Sequence, residues 1–287
     1  MASILFTTDS AADIPADLAK ELSVRVLPFP IVLGEREIAD GEEMTPQEFY
    51  ELLLAADVQP THAALNQYNF GQVFEQAWKE GYTDLIHTSI NSLGSSTYRN
   101  AVMAREEFYE EHPEARENFR IRIIDSMTYS MGYGWAVVEG ARMARDGADA
   151  DTVEAFIRDW LAHVRVVFTA LDLRFARKSG RISAAAAFMG DALGLKPMMT
   201  FEDGTSRVLE KTRGERGVAA ALMARCMAER REDSPVLLIR GSNGEQAEKL
   251  AELCRRELGR EADLTYCIGG VVSANAGPNL VGLVYRT

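Results

Sequence analysis

The sequence predicts an α/β protein with an N-terminal parallel sheet flanked by helices and a C-terminal mixed α/β domain. Short apolar runs alternate with helical patterns through the first half, which is typical of a parallel sheet covered by helices. Later, Asp203-Gly204 separates two extended runs, and this pattern indicates a hairpin of antiparallel strands. We place the domain boundary near residue 160, giving domains of residues 1–160 and 161–287.

The elements of the first half follow in order. Residues 4–8 form a buried strand, after which Asp9 and Ser10 are candidate helix caps. Residues 24–33 are extended. Thr45-Pro46-Gln47-Glu48 is a capping box with proline at the first helical position, so a helix begins there and runs to about residue 56. There follow a helix closed by Gly81, a strand at 84–89, a helix at 96–111, a strand at 119–124 and a helix at 129–146.

The second half continues with a helix near 153–164 whose apolar residues share one face, and a strand at 165–171. Gly180 is placed to end one helix and Ser183 to cap the next. The remaining predictions are hairpin strands at 195–201 and 206–211, a helix at 215–230, a strand at 236–240, a helix at 244–257, and strands near 263–268 and 281–286.

Charge and hydropathy exclude several classes of protein. The 287 residues include 31 Lys and Arg against 43 Asp and Glu, which gives a formal net charge of −12. Such a chain is repelled by nucleic acid and by anionic membrane surfaces. Its apolar runs are all shorter than the ~20 residues that span a bilayer. We therefore expect neither nucleic-acid binding nor stable membrane insertion.

The cysteines and histidines argue against a disulfide framework and a metal site. The three cysteines lack C-x-x-C spacing, which favours a reducing compartment. The first residues lack the basic flank of a signal peptide, so we expect a cytoplasmic protein. The histidines form no H-x-x-H or H-E-x-x-H pair, and neither a metal nor another cofactor is expected.

The most informative segment, residues 89–98, places hydroxyl groups and Gly94 between the end of a strand and the start of a helix. Open α/β sheets bind ligands at this edge, and the first-turn amides of a helix favour an anion. A carboxylate or phosphate held by Ser95 and the amides of Gly94 or Ser95 is one interpretation. The alternative is a polar loop that only caps its own helix.

Three further residues are candidates for anion binding. His62 lies just before a predicted helix and can present an imidazole to an anion, or it is an ordinary surface histidine. Arg181 lies on a predicted tight turn, where its planar guanidinium can clamp an oxyanion. The basic run around it is equally typical of a solvated face. Arg213 is a weaker candidate of the same kind.

Motifs of catalysis are missing from the sequence. It contains no G-x-S-x-G elbow and no G-x-x-x-x-G-K-[ST] loop, so neither an α/β-hydrolase nor a P-loop kinase is indicated. The residues alone therefore indicate an anion-binding crevice without visible catalytic machinery.

Segments along the whole chain match one ordered set of family motifs. The first matches are Thr8-Asp9-Ser10 with Asp13-Ile14-Pro15 (T-D-S-x-x-D-x-P), Asp40-Gly41 with Phe49-Tyr50 (D-G…F-Y), and Pro60-Thr61 with Phe70 (the ends of P-T-T-S-Q-P…F). Next come Ser92 to Tyr98 (S-x-L-S-G-T-Y) and Ile124-Asp125-Ser126 with Ser130, Gly132 and Gly134 (I-D-S…S-x-G-x-G). The last are Gly180-Arg181-Ile182-Ser183 (G-R-I-S), Lys196-Pro197 (K-P) and Asp203-Gly204 (D-G). Together they resemble the DegV family of bacterial fatty-acid-binding proteins.

The resemblance implies a two-domain α/β protein that holds a long-chain fatty acid such as palmitate, stearate or oleate in a tunnel between its domains. It implies that a separate fatty acid kinase phosphorylates the presented carboxylate, and that the binding protein itself is not an enzyme. Alignment on Phe70 and Tyr98 places the family's carboxylate-binding hydroxyls at His62 and Ser95, with Thr61 and Gly94 beside them.

Two departures from the family pattern bear on the head group. Histidine stands at position 62 in place of threonine, and Asn275 occupies the position of the histidine in the late S-A-H-T-G-x-G motif. Arg181, Asn275 and Arg213 are the candidates for facing the head group or a partner. Two alternatives remain: an enzyme, either an acyl hydrolase or a phosphotransferase, and a sensor of another apolar carboxylate using the same crevice.

Overall fold

The structure, a computed structural model, describes residues 3–188 and 194–287. The helices and strands up to residue 170 are β1 (Ile4–Asp9), α1 (Ala16–Glu21), β2 (Arg25–Leu27), β3 (Pro30–Leu33), β4 (Arg36–Ala39), α2 (Pro46–Ala55), β5 (Thr61–His62), α3 (Gln67–Lys79), β6 (Asp84–Ser89), α4 (Thr97–Glu111), β7 (Arg120–Asp125), α5 (Met131–Arg145), α6 (Ala150–His163) and β8 (Val164–Ala170).

The elements after residue 170 are α7 (Arg174–Ser179), α8 (Ser183–Ala187), β9 (Leu195–Glu202), β10 (Thr205–Arg213), α9 (Val218–Glu229), β11 (Leu237–Arg240), α10 (Gly244–Leu258), β12 (Leu264–Cys267), α11 (Gly270–Ala276) and β13 (Leu280–Arg286). The chain forms two compact units. Met1–Pro30 with His62–Ala162 make the first, and Ile31–Thr61 with His163–Thr287 make the second.

The first unit contains a parallel four-stranded sheet with the order β2-β1-β6-β7. Leu5 of β1 pairs with Leu85 of β6, which in turn pairs with Ile121 of β7. Helix α3 buries Phe70, Phe74 and Ala77, which recur at helical spacing. The predicted parallel sheet with flanking helices is confirmed in this unit.

The second unit contains a mixed six-stranded sheet with the order β10-β9-β8-β13-β11-β12. Only the β11–β12 pair among its described pairs is parallel. The turn between β9 and β10 has positive φ at both central residues, 47° at Asp203 and 73° at Gly204, as a type I′ hairpin requires. Both the predicted hairpin and the mixed α/β arrangement are confirmed.

The predicted division at residue 160 places residues 31–61 in the first domain, whereas in the structure they pack with the second unit. The Tyr50 hydroxyl donates to the Ile268 carbonyl at 2.5 Å, and the Asp40 carboxylate accepts the Gly270 amide at 2.8 Å. These contacts join positions more than 200 residues apart, so no local pattern in the sequence reports them.

Two predicted caps have other roles. Asp9 makes no side-chain cap to the short 3₁₀ turn that follows it. Ser183 is the first residue of α8 rather than its cap, and the Ala184 amide donates instead to the Ser206 hydroxyl of β10 at 2.9 Å. The Asp9 carboxylate instead accepts the Ile90 amide and the Tyr133 hydroxyl.

Candidate functional site

The loop between β6 and α4 lies at the carboxyl edge of the parallel sheet, where open α/β sheets bind ligands. The buried Asp9 carboxylate, at the end of β1, accepts the Ile90 amide at 2.8 Å and the Tyr133 hydroxyl at 2.6 Å. Asp125, at the end of β7, accepts the Ser92 amide at 3.1 Å. The ends of the neighbouring strands thus fix the beginning of the loop.

Asn91, which is fully buried, sets the path of the loop. Its carbonyl oxygen accepts the amides of Gly94 and Ser95 at 3.1 and 3.2 Å, and its side-chain oxygen accepts the Leu93 amide at 3.0 Å. This corrects the expectation that the amides of Gly94 or Ser95 bind an anion, because both already donate within the loop. These two amides form the turn that leads into α4.

Ser95 lies half-buried at the start of α4, and its hydroxyl is 2.8 Å from the Thr97 hydroxyl and accepts the Thr97 amide at 3.3 Å. Within the described part of the chain, the amides of Ser96 and Tyr98 donate to no protein acceptor. These amides lie at the positive end of the 15-residue helix α4. They are the donors that an anion beside Ser95 can use.

An open cleft of about 600 Å³ adjoins this helix start. Its walls include the loop from Ser92 to Ser96 together with Tyr98, Arg99 and Val102. Arg99 is exposed and forms no ion pair with any carboxylate among residues 3–188 and 194–287. The cleft therefore combines hydroxyl groups, helix-start amides and a guanidinium, a combination that favours a carboxylate or phosphate over a cation.

Helix α4 also anchors the segment that carries His62. The Asn100 side chain, near the start of α4, donates to the Leu65 carbonyl at 2.7 Å. His62 is half-buried, with its ring 6.3 Å from that of Phe29 in an edge-on arrangement, whereas Thr61 is exposed. His62 and Ser95 thus belong to the same unit, on segments joined through α4.

The other predicted residues lie in the second unit. Arg181 is exposed, follows Gly180 in its left-handed turn (φ 70°), and donates back to the Ser179 carbonyl at 2.8 Å. Arg213 is the exposed last residue of β10. Asn275 is half-buried on α11 and donates to the Val271 carbonyl at 2.7 Å. The roles of these three residues at a head group or partner remain predictions.

Sequence analysis missed Asn91, Arg99 and Tyr129 as parts of this site. Arg99 follows Ser95 by four residues, so its helical spacing was a local signal that could have found it. Asn91 and Tyr129 meet through the Asn91 amide, which donates to the Tyr129 hydroxyl at 3.1 Å across 38 positions of sequence. Only the fold reveals that contact.

Among residues 3–188 and 194–287, no group of three or more His, Cys, Asp or Glu side chains is arranged to hold a metal ion. In the same residues, every helix is too short or too polar to cross a membrane.

The fold and the site define an α/β protein with a hydroxyl-lined loop at the carboxyl edge of a parallel sheet. A family model described as "Uncharacterised protein, DegV family" matches residues 3–287, and the chain belongs to this family. A DegV domain-containing protein of Caldanaerobacter subterraneus subsp. tengcongensis is 32% identical over 216 residues, which cover 75% of this chain and 74% of the relative.

Solved structures match the fold along the whole chain. A structure described as showing fatty acid binding of a DegV family protein from Thermus thermophilus has a TM-score of 0.86 and 26% identity, with 99% of each chain covered. A fatty acid binding DegV family protein from Streptococcus agalactiae has a TM-score of 0.84 and 25% identity, covering 100% of this chain and 99% of the other.

Proposed function

We propose that this protein binds a long-chain fatty acid such as palmitate, stearate or oleate, with the carboxylate at Ser95 in the loop before α4. The observation that carries the proposal is the match over 99% of the chain to the Thermus thermophilus protein, whose described property is fatty acid binding. The local chemistry supports it, because a hydroxyl, the amides of Ser96 and Tyr98, and Arg99 are donors suited to a carboxylate.

The energetics are consistent with this ligand. Burying about 14 methylene groups at ~0.8 kcal/mol each yields roughly 11 kcal/mol of gross stabilisation. Association costs of about 4–15 kcal/mol reduce that gain. An unpaired buried carboxylate would cancel much of the remainder, so head-group donors decide whether binding is tight.

Within this proposal Ser95 donates its hydroxyl to the carboxylate, and His62 supplies a second donor from the segment anchored to α4. Gly94 shapes the turn, and Thr61 adjoins the imidazole. Arg181, Asn275 and Arg213 face the head group or a partner. That the acyl chain runs in a tunnel between two domains stays a prediction from the family resemblance.

We further propose that the protein presents its ligand to a separate fatty acid kinase and performs no chemistry alone. The surroundings of Ser95 support a binding role, because its hydroxyl contacts Thr97 and no imidazole or carboxylate among the described residues. An acyl hydrolase with a serine nucleophile needs a general base next to that serine. Ser95 has no such neighbour among the described residues.

Ser95→Ala tests the proposed head-group contact. We expect affinity for palmitate to fall roughly 10- to 150-fold, because one hydrogen bond to a charged group is lost. Displacement of a fluorescent fatty acid measures the affinity. Ser242→Ala is the control, because Ser242 is exposed, lies outside the cleft, and has no side-chain hydrogen bond among the described residues. Equal affinities of Ser95→Ala and Ser242→Ala would refute the assignment of Ser95.

A further inference from the structure

We propose that Tyr129 is a positioning residue, which holds the Gly94–Ser95 turn in the geometry that presents the Ser95 hydroxyl to a carboxylate. Tyr129 precedes α5 and is half-buried. The inference rests on the proposed fatty-acid site and adds a residue that determines its selectivity for an acid head group.

The first observation is the link between the Tyr129 hydroxyl and Asn91. The Asn91 side-chain amide donates to the Tyr129 oxygen at 3.1 Å. The side-chain oxygen of Asn91 points the other way and accepts the Leu93 amide at 3.0 Å. The Asn91 carbonyl then holds the amides of Gly94 and Ser95. The phenol thus contacts the side chain of the residue whose carbonyl closes the turn.

The second observation concerns the space at Gly94. A Cβ atom added there would lie 2.2 Å from the Tyr129 hydroxyl oxygen and 3.2 Å from the ring carbon that bears it. The φ angle of Gly94 is outside the left-handed region, so its backbone conformation does not require glycine. A methyl group at this position would have to displace the phenol, which packs directly against the turn.

The third observation is the strained backbone beside Tyr129. Ser130 has φ 59° and ψ −150°, a conformation that residues other than glycine rarely adopt. It is held there by its hydroxyl, which donates to the Asp13 carboxylate, and by its amide, which donates to the Ala11 carbonyl at 3.0 Å. Because Ser130 follows Tyr129 directly in the chain, this held conformation also restrains the backbone from which the Tyr129 side chain extends.

Tyr129→Phe tests the proposal because it removes only the oxygen atom. Affinities for palmitate and for hexadecanol are measured by displacement titration. We expect palmitate to bind about two- to tenfold more weakly, which is the effect of one lost hydrogen bond. Hexadecanol, which lacks the carboxylate, should change less than twofold. Tyr68→Phe is the matched control, since Tyr68 is 70% exposed on α3.

A double-mutant cycle gives a second, independent test. Gly94→Ala should weaken palmitate binding in the wild-type background, because the new methyl group displaces the phenol. The same substitution should cost little in a Tyr129→Ala background, where that space is free. Additive losses would overturn the proposal.

The outcomes separate this proposal from the fatty-acid proposal. If the wild-type protein and Tyr129→Phe bind palmitate equally well, the positioning role of Tyr129 is refuted and the fatty-acid proposal stands. Equal weakening for palmitate and hexadecanol shows a merely structural role and also refutes it. Wild-type protein that binds neither ligand refutes both proposals.

Discussion

At the scale of single residues, His87 shows how burial decides a protonation state. It lies on β6 with no exposed surface, its Nδ1 atom is 3.0 Å from the Thr7 hydroxyl, and Phe70 packs edge-on against it at 5.0 Å. Burial lowers the pKa of His87 from 6.5 to about 3. The folded protein therefore holds this imidazole neutral at physiological pH.

The unfolded chain takes up this proton near pH 6.5, whereas the folded chain does so only near pH 3. The free energy of unfolding should therefore fall as the pH falls through this window, by up to about 1.4 kcal/mol per pH unit from His87 alone. We expect the loss between pH 6.5 and 4.5 to be about 2–3 kcal/mol smaller in His87→Asn. Urea unfolding at both pH values measures it, and equal losses in the two proteins would contradict the prediction.

The residues of the site differ in how far the sequence could predict them. Ser95 was predictable because hydroxyl groups just before a helix form a local pattern with a local consequence. The engagement of the Gly94 and Ser95 amides was not, because it depends on Asn91 folding back over its own loop. Tyr129 was also not predictable, since its partners Asn91 and Gly94 lie far away in sequence.

At the scale of elements, a cluster of charges fastens β6, β7 and α6 together. The Arg122 guanidinium of β7 pairs with Asp84 of β6 and, on α6, with Asp151 at 2.5 Å and Glu154 at 2.9 Å. The side chains of Arg122 and Asp84 are only 11% exposed. Burial alone would lower the pKa of Arg122, but the hydrogen bonds to Asp84 and Asp151 together with the charges of these carboxylates raise it.

Removing the Arg122 guanidinium leaves the poorly solvated Asp84 carboxylate without its partner. We expect Arg122→Leu to lower the free energy of unfolding by about 2–4 kcal/mol, and Asp84→Asn in the same chain to restore part of it. Arg120→Leu, at an exposed position of the same strand, is the control for changing arginine to leucine. Urea unfolding measures the effect. If Arg122→Leu and Arg120→Leu unfold at the same urea concentration, the cluster does not stabilise the sheet.

Most elements could be predicted because their signals are local. The Thr45–Glu48 capping box is present as predicted, with the Glu48 amide 3.3 Å from the Thr45 hydroxyl and the Thr45 amide 2.8 Å from the Glu48 carboxylate. Helix α11 and strand β4 were missed. Both are short, and the helix has glycine at its cap and its first position, so their sequences carry weak helix and strand signals.

At the scale of the whole molecule, the chain order of the motifs identified the family, but the division into units was not predictable. Residues 31–61 leave the first unit and pack with the second through Asp40 and Tyr50. No change in amino-acid composition at residues 31–61 indicates that this segment packs with the second unit. Contacts between distant segments, rather than local propensity, decide to which unit a segment belongs.

The proposed binding of one long-chain fatty acid is tested most directly by native mass spectrometry of the purified protein, with the bound species released and identified. We predict a long-chain fatty acid at one-to-one stoichiometry, and a protein stripped of lipid should recover the same mass shift on addition of palmitate. A protein that is isolated empty and that also rejects added palmitate, stearate and oleate would contradict the account.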